Sequence, residues 1–259
     1  MTFRIIKDSS YDAAMNMAID EAIYNSVSRG LSQSTIRFYS FKPDSVSIGA
    51  NQDVKIINLD FCNSYGINYV RRPSGGNAVF HNERDITYSV IANTDLFSRN
   101  IREVYKTICS WIVNSINEFG LNAEFYGKND ILINGKKICG NAILSNKDVF
   151  LQHGSLFIYG NKNSWANCLN IEKEKLNGVS CLSEITKRKN IERDLLGIME
   201  RNFTANAVIN NDCHYSNLTP EEINEAKILR ETKYNNNKFL FDASRKTKGK
   251  ACIIDIIND

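Results

Sequence analysis

Apolar positions recur along this chain with two periods, and the alternation predicts its elements. In SSYDAAMNMAIDEAIYNSV, Ala14, Met17, Ala18 and Ala22 fall at helical spacing. TIRFYSF and SVSIGANQ are β-rich runs separated by the turn KPD, and GINYVRR reads as a further strand. In DITYSVIA, Ile86, Tyr88 and Val90 alternate onto one face, as in a half-buried strand. IREVYKTICSWIVNSINEFG is the clearest helix: Ile101, Val104, Tyr105, Ile108, Ile112 and Ile116 form a stripe, and Gly120 stands at a C-cap position. NDILINGKKICGNA carries Asn134-Gly135, a strong hairpin signal, and VFLQHGSLFIYG is another strand. After about residue 188, IERDLLGIMERNF reads as helical. TPEEINEAKILRETKY opens on a capping-box pattern, Thr219 to Glu222, with Pro220 at the first helical position. ACIIDII reads as a short terminal strand. The pattern predicts an α+β fold, a mixed or antiparallel sheet packed with helices. Residues 1–190 form the main domain and 191–259 a mostly helical extension.

Composition narrows the class without naming a chemistry. The 259 residues are 42% hydrophobic and 24% charged, ordinary for a globular chain that buries a sizeable core. A net charge of +3 is too weak to argue for nucleic acid. The seven cysteines are scattered with no CxxC pair, which argues against a zinc site or disulfide framework and fits a reducing cytoplasm. No run approaches the roughly 20 apolar residues that a membrane span needs, and the first ten residues do not resemble a signal peptide.

The chemistry concentrates in RRPSGGNAVFH and the Asn-Gly hairpin. Adjacent Gly75 and Gly76 either form a hairpin turn between two strands or let a ligand lie against bare backbone. Arg71 and Arg72 just before them favour an anionic ligand in the second case. GxGxxG and the phosphate-loop pattern are both absent. A two-residue turn pairs Ile133 with Lys136, Leu132 with Lys137 and Asp130 with Cys139. One face then carries Ile131, Ile133 and Ile138, and the other Asp130, Leu132, Lys137 and Cys139. Lys137 and Asp130 become diagonal neighbours able to grip one phosphate–metal unit, unless Lys137 is an ordinary solvated lysine. His153 is either a ligand-facing residue or a satisfied strand histidine. His81, Glu83 and Asp85 match no metal-ligand spacing and read as a loop.

Taken in order, SVSIGANQD, RRPSGGNAVFH, ITYSV, GKNDILINGKKICGNA and LQHGSLFI resemble the catalytic domain of the lipoate–protein ligases, within the biotin and lipoate protein ligase family. The resemblance covers about residues 1 to 190 and implies that family's fold and chemistry. Lipoate and Mg-ATP give lipoyl-AMP, and the lipoyl group then passes to a lysine of an acceptor domain. The expected acceptors are the lipoyl domains of 2-oxoacid dehydrogenase complexes or the glycine cleavage H protein. By resemblance, Ser74, Gly75, Gly76, Asn77 and Ala78 wrap the acyl-adenylate, and Arg72 lies along the lipoyl tail and its activated end. Lys137 points at the acyl carbonyl and α-phosphate. Asn129 and Asp130 lie near the phosphates, with Asp130 a magnesium contact through ATP. His81, Gly140 and His153 line the adenylate pocket.

Three departures stand out. Asn77 replaces what is commonly a third glycine, and Cys139 a small residue. The chain ends at Asp259, short of the accessory C-terminal domain that the resemblance implies, so the expectation is either a separate accessory subunit or an enzyme that does not activate acids with ATP. The rival reading is an octanoyl- or lipoyl-transferase, which holds the acyl group as a cysteine thioester; Cys139, Cys168 and Cys181 are its candidates. One transferase group carries its cysteine just before the ND segment, where NAEFYGKND has none. The sequence favours the ligase.

Overall fold

The computed structural model describes residues 3–207 and 213–242. The expected terminal strand ACIIDII lies outside them.

The elements, in chain order, are β1 (Phe3–Lys7), α1 (Ala13–Ser28), β2 (Ser34–Tyr39), β3 (Ser45–Ile48), α2 (Leu59–Ser64), β4 (Asn68–Arg71), β5 (Val79–His81), β6 (Ile86–Asn93) and α3 (Ile101–Glu118). There follow β7 (Ala123–Tyr126), β8 (Asp130–Ile133), β9 (Lys136–Ser145), β10 (Val149–Leu156), α4 (Lys162–Cys168), α5 (Leu182–Ile185), α6 (Ile191–Ala207), β11 (Cys213–Tyr215), α7 (Pro220–Leu229) and α8 (Asn237–Leu240). The fold is α+β. Eight strands form one mixed sheet in the order β11-β1-β2-β6-β10-β9-β8-β7, and β4-β3-β5 form a second, smaller sheet.

Helices cover both faces of the large sheet. On one side the α3 stripe, Val104, Ile108, Ile112 and Ile116, packs with Ile86, Tyr88 and Val90 of β6. Leu195, Met199 and Phe203 of α6 join the same cluster. On the other side α1 buries Met17, Ala18, Ala22 and Ile23 with Ile91 and Leu151. The helix ends follow the sequence signals. Gly120 takes φ 93° after α3, where Leu121 N donates to Ile116 O. Thr219 and Glu222 form a reciprocal capping box that starts α7.

The glycine segment is not a hairpin turn. β4 pairs with β3 in parallel and β5 pairs with β3 antiparallel, on its other side. Residues 72–78 therefore cross the C-terminal end of β3. The crossing is tight: a Cβ on Gly49 would stand 2.0 Å from Gly76 O. Gly76 has φ 89°, a conformation that favours glycine.

Asn134-Gly135 does turn β8 into β9, with φ of 51° and 72°. The register beyond the turn differs from the simple pairing. Ile133 and Leu132 oppose Lys136 and Lys137, but Ile131 opposes Cys139 and Asp130 opposes Gly140. A β-bulge leaves Ile138 as the extra residue. Cys139 is thereby turned into the core with Ile131, Ile133 and Ile138, and does not share the face of Lys137.

Candidate active site

The bulge also explains the environment of Lys137. It places Lys137 and Gly140, three positions apart, on the face that carries Asp130. The lysine stem lies over Gly140, where a Cβ would come 2.9 Å from Lys137 Cε. Nζ reaches Asp130 Oδ1 at 2.8 Å. Burial pushes the Asp130 carboxyl above its ordinary range, and the Lys137 charge opposes that shift. The lysine backbone is clamped as well, since its N–H donates to Gly178 O and its carbonyl accepts from Ser180 N. Beside it, Asn141 Nδ2 donates to Asn129 O at 2.8 Å, Asn129 Nδ2 returns a bond to Asn141 O, and Tyr88 OH donates to Asn141 Oδ1.

Arg72 holds the glycine crossing in shape. Its guanidinium donates to Gly75 O at 2.6 Å, Asn77 O at 2.8 Å and Ser47 O at 3.2 Å. Burial lowers its pKa to about 10. Arg71 faces elsewhere and ties the carbonyls of Gly49, Ala50 and Gln52 to those of Phe239 and Leu240.

One pocket gathers these parts. Arg72, Gly76, Asn77, Ala78, His81, Asn129, Lys137, Gly140 and His153 all line it. Ser74, Gly75 and Asp130 stand directly behind that lining: Ser74 Oγ contacts His153 and Arg72, Gly75 O accepts from Arg72, and Asp130 pairs with Lys137. One part of the remaining wall is apolar, with Phe80, Phe157, Trp165, Leu169, Leu176 and Val179 in one cluster, while Ser47, Thr87, Asn141 and Ser155 add polar groups elsewhere.

Both pocket histidines are buried and hydrogen-bonded. His81 lies in β5, not in a loop. Nε2 meets Ser47 Oγ at 2.8 Å, Nδ1 meets Ser155 Oγ at 3.0 Å, and the ring stacks on Phe41. Burial first, then the Arg72 charge, holds its pKa well below the usual histidine value. Glu83 and Asp85 do not join it: Glu83 pairs with Lys42, and Asp85 accepts from Ile158 N. His153 Nε2 meets Ser74 Oγ at 2.6 Å, and Nδ1 meets Asp20 Oδ2 at 3.2 Å.

Sequence reading missed Asp20. Arg37 and Tyr39 of β2 and Ser89 of β6 also bond its carboxylate. A signal was present. Asn16 and Asp20 are polar residues one turn apart in a helix whose buried positions are mostly apolar, and both are fully buried. Asp130, the residue expected to contact magnesium through ATP, pairs with Lys137. Among the described residues no group of three or more His, Cys, Asp and Glu side chains is gathered to hold a metal.

A family model of the lipoyl protein ligase A/B catalytic domain matches residues 12–210. The chain belongs to that family. Among curated relatives, an octanoyltransferase LipM of Halalkalibacterium halodurans is 31% identical over 251 residues, covering 87% of this chain and 84% of the relative. The octanoyltransferase LipM of Clostridioides difficile is 34% identical over 178 residues, 60% of this chain and 65% of that protein. A crystal structure of lipoate-protein ligase A bound with ATP superposes with a TM-score of 0.83 at 25% identity, over 93% of this chain and 99% of that one. The curated relatives correct the expectation of an ATP-dependent lipoate–protein ligase. They are octanoyltransferases, and the transferase alternative is the reading they support.

None of the three cysteine candidates lines the pocket, nor does any other cysteine among the described residues. Cys139, Cys168 and Cys181 are buried. Burial pushes the Cys139 thiol well up and the Cys181 thiol to about 12; the bond to Cys62 raises Cys168.

Proposed function

We propose that this chain transfers an octanoyl group from a thioester donor to the ε-amine of a lysine on a lipoyl acceptor domain. The observation that carries this reading is the 31% identity to an octanoyltransferase over most of both chains. The pocket chemistry agrees with it. The apolar wall suits an eight-carbon tail, each buried methylene contributing about 0.8 kcal/mol. Lys137 supplies a fixed cation where negative charge develops on the carbonyl oxygen during attack. Asp130 and the backbone bonds at residues 178–180 hold that cation in place, so it need not reorganise as charge builds. The closed crossing of Gly75 and Gly76 supports the head of the acyl group.

The test is mass spectrometry of a lipoyl acceptor domain incubated with the protein and octanoyl carrier protein, without ATP. One added octanoyl group on a single lysine is expected. Modification that occurs only with free acid and Mg-ATP would overturn the proposal.

A further inference from the structure

Arg71 does not line the pocket, yet it is among the largest side chains that the fold buries completely. We propose that Arg71 is a positioning residue that makes the C-terminal turn at residues 237–241 a support of the acyl-donor site. This rests on the acyltransferase reading above and extends its donor site to a segment 168 positions away in sequence.

Three observations carry it. The first is what the guanidinium holds. Nη1 donates to Gly49 O and Ala50 O at 3.1 Å and to Gln52 O at 2.7 Å. Nη2 donates to Leu240 O at 2.6 Å, and Nε to Phe239 O at 3.1 Å. One planar fork thus joins two backbone segments. A guanidinium has five donors in fixed geometry and no acceptor, so it can gather carbonyls in this way. A lysine ammonium cannot reproduce the fork.

The second observation is where residues 49–52 lead. They are the floor of the glycine crossing. Ala50 N donates to Ser74 O at 2.8 Å, and Gly49 has no room for a Cβ beneath Gly76 O. Gly76, Asn77 and Ala78 of that crossing line the pocket. Arg72 binds the carbonyls of the crossing, and Arg71 binds those of the floor. Two neighbouring arginines therefore fix the two layers of one contact.

The third observation is how the turn is anchored. Leu240 belongs to one apolar cluster with Ile48 and Ala78, on either side of the crossing. Just before the turn, Arg230 pairs with Asp12 at 2.8 Å and Lys233 with Glu21 at 2.7 Å. The turn is thus held against α1 and offered to Arg71. If it undocks, the buried guanidinium loses acceptors; if Arg71 is removed, residues 49–52 lose a shared donor. Either change loosens the Ala50–Ser74 contact and the pocket residues above it. Lys137 is untouched, so donor binding suffers more than the chemical step. Coupling is reciprocal, and a bound donor must in turn steady the turn.

The test reads hydrogen exchange at the Ala50 amide of the full chain without ligand, with the Lys137 amide, bonded to Gly178 O, as control. Arg71→Gln and Leu240→Ala should each speed Ala50 exchange about 10-fold or more, the scale of one charge-assisted hydrogen bond, and leave Lys137 exchange unchanged. Each should raise KM for octanoyl carrier protein with kcat little changed. The double variant should be no worse than the worse single one, since both break one link. Arg71→Lys should behave like Arg71→Gln, because charge without the fork does not span both segments. In the wild type, octanoyl carrier protein should slow exchange at the Phe241 amide, bonded to Asn237 O. Native Ala50 exchange in folded Leu240→Ala would overturn the proposal. So would additive KM effects in the double variant, or equal quickening at Ala50 and Lys137, which marks general destabilisation. If neither variant folds, the wild-type response at Phe241 decides: protection supports the coupling and its absence overturns it. No octanoyl transfer by the wild type would sink the acyltransferase reading, while Ala50 exchange would still decide the coupling.

Discussion

Lys137 Nζ lies 2.8 Å from Asp130 Oδ1 because a bulge at Ile138 and a glycine at 140 let the lysine stem run diagonally over the hairpin. The pair is buried on the carboxylate side, and Asp130 is only 1% exposed. Lys137→Ala should slow octanoyl transfer by about 10²–10³-fold, the scale for removing one preorganised charge donor. Circular dichroism should show the fold retained. A folded variant with unchanged kinetics would remove Lys137 from the reaction.

Gly140→Ala tests the same pair without touching either charge. The added methyl would meet Lys137 Cε at 2.9 Å, so the stem must move. The expected result is a fall in kcat at near-native stability, measured by steady-state kinetics beside thermal unfolding. Equal kcat in variant and wild type would show that the stem has room to shift.

The glycine crossing gives a steric prediction. Gly76 has φ 89°, and a Cβ there would stand 2.9 Å from Arg72 Nη2. Gly76→Val should break the Arg72 bonds that hold residues 75–77 and abolish acyl-donor binding by calorimetry. Gly49→Ala, on the opposite side of the same contact, should do likewise, because its Cβ would overlap the Gly76 carbonyl at 2.0 Å. Normal donor binding by either variant would mean the crossing is not part of the binding site.

Cys139, Cys168 and Cys181 are packing residues in this structure. Single Cys→Ala variants should retain most of the transfer rate per folded molecule, measured with octanoyl carrier protein. Loss of activity in one of them, with its fold intact, would mark that thiol as the acyl-carrying nucleophile.

Asp85 predicts a pH dependence of stability. It is fully buried and accepts from Ile158 N and Asn82 Nδ2. Burial still raises its pKa to about 8, against an ordinary value of 3.8. The folded state therefore binds a proton that the unfolded state has released, and this contribution to stability shrinks as pH rises from 3.8 to about 8. Urea unfolding of the wild type should show the decline, and Asp85→Asn should flatten that part of the profile. A parallel decline in the variant would assign it to other groups.

Local signals in the sequence determined the helices and most strands of this protein. The α3 stripe, the Gly120 stop, the Thr219 capping box and the Asn134-Gly135 turn depend on residues a few positions apart, so periodicity and turn chemistry suffice to read them. The segments that build the pocket were legible for a related reason. Paired glycines behind arginines and a lysine beside an Asn-Gly turn are chemically unusual at short range. Tertiary structure decided how those segments are used. The glycines became a crossing over Gly49 because β4 and β5 take opposite sides of β3, a pairing no local window contains. One bulge sent Cys139 into the core and kept Lys137 with Asp130, since a single extra residue reverses which face each later side chain takes. Asp20 met His153 across 133 positions of sequence. That contact exists only because α1 packs on β10, so packing and not pattern brought the two together.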